Sequence, residues 1–103
     1  MSFIYHIARA ADWEQATKDG EYTVSTEGWT LAEEGFIHAS QQHQVQGVRD
    51  AFFRDVPDLV LLVIDTDLVS SPVRYDAVPG QPDPFPHVYG PLNTDAVVEV
   101  RPL

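Results

Sequence analysis

The chain contains no cysteine among its 103 residues. That excludes a disulfide framework, a thiolate nucleophile and a Cys-ligated metal. Basic residues are scarce: six Lys+Arg stand against sixteen Asp+Glu, for a net charge of −10. A nonspecific nucleic-acid binder needs a basic surface to displace counterions, and no basic cluster is present. The charge implies solubility and repulsion of polyanions, leaving room only for a local anion site where a few arginines converge. No apolar stretch approaches the roughly 20 residues that span a bilayer. The segment Met1-Ser2-Phe3-Ile4-Tyr5-His6 has neither a basic region nor a leader-like apolar run. The six glycines never form a Gly-x-Gly-x-x-Gly or Walker motif. These absences point to the cytoplasm, with neither membrane nor nucleic acid as a partner.

What is present suffices for one core. Apolar residues make up 44% of the chain, which argues against disorder. A chain of this length is expected to form one domain, here 1–103, and to bury roughly 60–65% of the surface its unfolded form exposes.

The most informative stretch is Gly35-Phe36-Ile37-His38-Ala39-Ser40. Read as a strand, it sends Ile37 and Ala39 to one face, and Phe36, His38 and Ser40 to the other. Gln41-Gln42-His43-Gln44-Val45 then opens a helix, with Ser40 placed as its N-cap. An imidazole beside exposed backbone N–H groups favours an anionic ligand.

The remaining elements follow from periodicity and turn chemistry. Phe3 to Ala8 reads as a strand with Ile4, His6 and Ala8 on one face. Ala10 to Asp19 reads as a helix closed by Gly20. Ser25 to Glu34 is ambiguous, with Ser25 or Thr26 as a cap. Gln41 to Asp55 is the main helix, its apolar face made by Val45, Val48, Ala51 and Phe52. Pro57 forbids its continuation. Asp58 to Asp65 is apolar through its middle, the pattern of a central strand covered on both faces. Pro72 to Asp76 is a short strand. Four prolines and Gly80 between residues 77 and 86 predict an extended loop. His87 and Tyr89 share a face beyond it. Ala96 to Arg101 is the last strand, with Ala96, Val98 and Val100 on one side. Helices separated by uneven strand clusters predict an α+β fold: a small split or mixed sheet, one main helix (41–55) and one or two short ones.

The polar groups in this apolar sheet form the candidate site. His6, His38 and His87 are the candidate catalytic residues, since imidazole is the side chain best poised for proton transfer near neutral pH. Ser40, Arg74 and Tyr89 are the candidate ligand-binding residues. His38 and His87 are expected to face one cleft, with His6 nearby, Ser40 at the rim and the Pro-rich loop as a wall. Three histidines also raise a metal site, but no pair has i, i+2 or i, i+4 spacing, so no metal ligand is assigned. Ser40 lacks the Gly-x-Ser-x-Gly elbow of a hydrolase nucleophile.

Ile4-Tyr5-His6-Ile7, Gly35-Phe36-Ile37-His38-Ala39-Ser40, Pro57-Asp58-Leu59-Val60-Leu61-Leu62, Pro72-Val73-Arg74-Tyr75 and Phe85-Pro86-His87-Val88-Tyr89-Gly90-Pro91-Leu92 occur in the order of a small bacterial family. On these runs the chain resembles the domain-of-unknown-function family numbered 952. That family is grouped with ADP-ribosyltransferase-like proteins. The resemblance implies a split sheet whose central cleft binds NAD or a related nucleotide. It implies that His6 holds the nicotinamide ribose, that Tyr89 or Tyr75 stacks on nicotinamide, and that a late-strand glutamate, here only Glu99, orients the ribose. The expected second-strand tyrosine position carries His38 and Ser40 instead. The function expected is therefore a small-molecule or nucleotide-binding domain, NAD-dependent and transferase-like if it is an enzyme. A non-catalytic binding domain and a His-based metal hydrolase are the alternatives.

Overall fold

Residues 2–103 are described by the computed structural model. In chain order the elements are β1 (Phe3–Arg9), α1 (Ala10–Asp19), β2 (Glu21–Tyr22), β3 (Val24–Thr26), β4 (Trp29–Thr30), α2 (Leu31–Glu34), β5 (Ile37–His38), α3 (Val45–Phe52), β6 (Leu59–Asp65), β7 (Val73–Asp76), β8 (Phe85–Val88), β9 (Leu92–Asn93) and β10 (Val97–Pro102). Turns of 3-10 helix lie at Gln42–Gln44, Thr66–Leu68 and Thr94–Ala96. The architecture is α+β.

Period-two alternation along β1 and β6 divides the interior into two apolar clusters. Ile4 and Ala8 of β1 join Leu62 and Ile64 of β6 in the first. Tyr5 and Ile7 join Leu61 and Val63 in the second. Both faces of β6 are thus covered, as its unbroken apolar run predicts. Each such side chain contributes roughly 1.5–3 kcal/mol by leaving water. β6 is the middle of a three-stranded sheet, order β1-β6-β10. A second sheet, order β5-β8-β7, packs Ile37 and Val88 on the first cluster. Every strand pair is antiparallel.

The two sheets touch at one bridge. The Tyr5 N–H donates to the Ser40 carbonyl at 2.9 Å, and the Ser40 N–H donates to the Tyr5 carbonyl at 2.7 Å. Among the described residues β1 and β5 themselves are not paired, and they belong to separate small sheets. This is Ser40's place in the fold. It is buried as a bridge residue and does not cap the helix. Gln41 caps the 3-10 turn instead: the Gln44 side chain accepts from the Gln41 N–H at 2.8 Å, in a reciprocal capping box. The first-turn donors expected to attract an anion are therefore partly occupied.

The main helix is shorter than 41–55. It is α-helical only over Val45–Phe52. Asp55 and Asp58 then take φ of 65° and 56°, a left-handed region that aspartate tolerates and a helix does not. Its apolar face is also divided. Val48 is buried, but Ala51 and Phe52 are exposed. In the ambiguous 25–34 segment, Ser25 lies buried in β3 and Thr30 is the cap of α2, in a capping box with Glu33. The α1 helix ends as expected at Gly20, whose φ of 84° suits glycine. In β10 a register shift between Val97 and Glu99 breaks the simple alternation. Ala96 and Val97 pack on the first cluster, while Val98 and Val100 are exposed. No helix among the described residues is long and apolar enough to cross a membrane.

Candidate functional site

Register in the second sheet assembles the site. His87 of β8 lies directly opposite His38 of β5 on one side and Arg74 of β7 on the other. Opposed residues of antiparallel strands project to the same face. The alternate positions Phe36, Asp76, Phe85 and Tyr89 follow them there. The opposite face is apolar and carries Ile37, Val73 and Val88 onto the first cluster.

On the polar face the side chains form a connected series. His38 Nδ1 is 3.0 Å from His87 Nε2, and His87 Nδ1 is 2.8 Å from Asp76 Oδ2. The Tyr89 hydroxyl donates to the same Asp76 oxygen. Phe36 stacks on His87 with ring centroids 4.1 Å apart, and the Arg74 guanidinium lies 5.0 Å from the centre of the Tyr89 ring. The Tyr89 and His87 bonds hold the Asp76 carboxyl below the usual carboxylate range. Burial pushes His38 down to about 4, helped by the imidazoles of His87 and His6. His38 is therefore neutral at pH 7.

With both imidazoles in the neutral form, the protons of the series are assigned from their partners. Asp76 as a carboxylate only accepts, so His87 donates through Nδ1–H. His87 Nε2 is then the acceptor, and His38 donates to it through Nδ1–H. That leaves Nε2 of His38 unprotonated. This nitrogen is buried and has no hydrogen-bond partner among the described residues.

His38 opens on a cleft of about 380 Å³ between α3 and the Pro-rich loop. Val48, Ala51, Phe52, Val78, Pro82 and Phe85 make its apolar walls. Phe85 stacks at 5.2 Å from the His38 ring, and Phe52 meets it edge-on at 6.5 Å. The loop is tied to the start of the helical segment. His43 Nε2 lies 2.9 Å from Asp83 Oδ2, and the Gln41 and Gln44 side-chain amides donate to the Pro84 carbonyl at 2.8 and 3.1 Å. No lysine or arginine lines the cleft among the described residues.

The six residues named from sequence separate into three places. His38, His87, Tyr89 and Arg74 share the polar face, but only His38 of these four borders the cleft. Ser40 is in the inter-sheet bridge and outside the cleft wall. His6 is wedged into the split of the sheet. Its Nδ1 donates to the His38 carbonyl at 2.5 Å, and its Nε2 accepts from the Tyr22 hydroxyl at 2.9 Å. Burial lowers it to about 4. The Pro-rich loop forms a wall of the cleft that His38 borders, but His87, expected to face the same cleft, does not line it. Glu99 is exposed on β10 with its carboxylate on Arg101 at 2.7 Å, and does not line the cleft.

Sequence reasoning missed Asp76, Phe36 and Phe52 as site residues. Alternation from Arg74 places Asp76 on the shared face, and alternation from His38 does the same for Phe36. Phe52 gave no signal, because a helix-face phenylalanine reads as core. Among the described residues no group of three His, Asp or Glu side chains is arranged to hold a metal ion. The facing nitrogens of His38 and His87 are occupied by each other.

No curated protein matches the chain. Among solved structures, the crystal structure of CC0527 from Caulobacter crescentus is similar, at 30% identity and a TM-score of 0.86, over 99% of this chain and 86% of that one. The solution NMR structure of CC0527 gives 31% identity and a TM-score of 0.79, over 100% of this chain and 85% of that one. Residues 7–100 match the family described as Protein of unknown function (DUF952), so the chain belongs to the DUF952 family.

Proposed function

We propose that this protein binds a small, flat, uncharged organic group in the cleft between α3 and the Pro-rich loop. The observation that carries the reading is the cleft's composition. About 380 Å³ of space is walled by Val48, Ala51, Phe52 and Phe85, with the neutral His38 ring set among them. Apolar walls with a few fixed polar groups are the usual make-up of a small-molecule site. The resemblance to ADP-ribosyltransferase-like proteins suggests the base-like end of a nucleotide, nicotinamide or adenine, as the class of group.

The charge pattern limits how such a nucleotide would sit. No lysine or arginine lines the cleft among the described residues, Asp83 is part of its lining, and the whole chain carries −10. The phosphates of NAD would meet no lysine or arginine inside, so the ring enters and the phosphates stay in solvent. Compact neutral ligands are favoured over NAD itself.

Chemical-shift mapping with nicotinamide, adenosine, ADP-ribose and NAD tests this. The expected result is shifts confined to His38, Val48, Phe52, Phe85 and residues 78–83, larger for the two neutral compounds. No shift from any of the four at millimolar concentration overturns the proposal.

A further inference from the structure

Nε2 of His38 is an anomaly in a well-paired site. Buried polar atoms are nearly always hydrogen-bonded, and one that is not calls for a physical reason. The other nitrogens of the series all have partners: His38 Nδ1 has His87, and His87 Nδ1 has Asp76. With both rings neutral, the bond directions run one way, from His38 through His87 to the Asp76 carboxylate, and the Tyr89 hydroxyl occupies the same carboxylate oxygen. This chain of bonds presents a bare lone pair on the ring that borders the cleft. An apolar substitute would fill the same space without leaving an acceptor unpaired.

We propose that His38 selects ligands by accepting a hydrogen bond at Nε2, and that Asp76 and His87 hold it in the tautomer able to do so. This rests on the cleft being a ligand site. It goes further by naming what the ligand must present: an N–H or O–H donor on a flat group, such as a primary carboxamide or a ring amine. His38 selects by contact, whereas Asp76 and His87 are positioning residues. In the unliganded chain Nε2 is closed to water. Of the two aromatic rings beside His38, Phe85 is buried and Phe52 is 59% exposed. Phe52 is the ring that can turn aside without disturbing the core, and it admits the donor.

Two measurements test the proposal. Nitrogen-15 correlation spectra of the free protein near neutral pH report the His38 tautomer directly. The expected result is a pyrrole-type Nδ1 and a pyridine-type Nε2. In His87→Phe, which keeps a ring against Phe36 and removes the acceptor, His38 shifts towards the form with the proton on Nε2. A proton on Nε2 in the wild-type protein overturns the proposal, whatever binds. The second measurement compares nicotinamide with methyl nicotinate, which keeps the ring and lacks the donor. Nicotinamide is expected to bind at least about tenfold more tightly, because the ester leaves the acceptor unpaired. Equal affinity overturns the donor requirement while leaving the cleft as a ligand site. Failure of both probes, with the predicted tautomer present, overturns the ligand role of His38 in both readings.

Discussion

Nδ1 of His6 lies 2.5 Å from the carbonyl oxygen of His38, and this bond closes the gap where the two sheets part. The split leaves the His38 carbonyl next to a diverging strand, with the bridge at Tyr5 and Ser40 already passed. A side chain takes up the pairing that the backbone relinquishes. The Tyr22 hydroxyl, 2.9 Å from the other ring nitrogen, completes the arrangement in a fully buried setting.

Replacing that ring should be expensive. His6→Ala leaves the His38 carbonyl and the Tyr22 hydroxyl without partners and opens a cavity. Each stranded group costs about 1–3 kcal/mol, so the total is expected to be about 3 kcal/mol or more. The midpoint of thermal unfolding should fall by roughly 4–8 °C per kcal/mol for a domain of this size. A shift of only a degree or two would show that His6 does not hold the split.

Acid should unfold the protein through its buried imidazoles. His6 and His38 are both lowered from 6.5 to about 4, chiefly by burial. Between those values the unfolded chain binds protons that the folded chain refuses. Their stabilising contribution is therefore complete above pH 6.5 and drains away as the pH falls towards 4. A shift of this size corresponds to about 3 kcal/mol for each ring, a large share of the roughly 5–15 kcal/mol that holds a domain together. Urea unfolding from pH 7 down to pH 4 should show the loss, with a shallower slope in His6→Ala. A flat profile would show that neither imidazole is held neutral.

Phe52→Ala should separate binding from stability. The ring is more than half exposed, so its loss should cost less than about 1 kcal/mol of folding free energy. The same change removes a wall of the cleft and should weaken nicotinamide binding severalfold. A large loss of stability, or unchanged affinity, would show that Phe52 is not part of the ligand surface.

Gly90 is a position where a side chain cannot be placed without movement. Its φ is 153°, and an added Cβ would come 2.5 Å from Oγ of Ser71. That hydroxyl donates to the Pro91 carbonyl at 2.8 Å, so moving it breaks a bond. Gly90→Ala is expected to destabilise by about 1–3 kcal/mol, measured as a lower urea midpoint with an unchanged slope. Because Tyr89 precedes it, the same variant is expected to loosen the Tyr89 bond to Asp76.

Much of this structure follows from rules that act over a few residues. Alternation in Phe3–Arg9 placed Ile4 and Ala8 against Tyr5 and Ile7 correctly. The unbroken apolar run before Asp65 marked the covered strand, and Gly20 marked the end of α1. Alternation also put His38, His87 and Tyr89 on faces that register then made common. The errors lie at junctions. Ser40 has a capping side chain, but its backbone pairs with Tyr5 and the helical turn starts one residue later, with Gln41 at the N-cap. The 41–55 helix is already over at Phe52, and Asp55 beyond it takes left-handed backbone, which is not visible in a helical apolar pattern.

By itself, the sequence determined which residues alternate, which runs are covered and where a turn must fall, because those depend on bond geometry and on neighbours two to four positions away. Only the tertiary structure decided the roles of the histidines. His6 and His38 look alike along the chain, each midway along an apolar strand. One fills the gap between sheets and the other opens on a cleft, and the difference is set by where β1 and β5 separate. That point depends on pairing between segments more than thirty residues apart, at Tyr5 with Ser40 and at His6 with the His38 carbonyl. No local pattern encodes it.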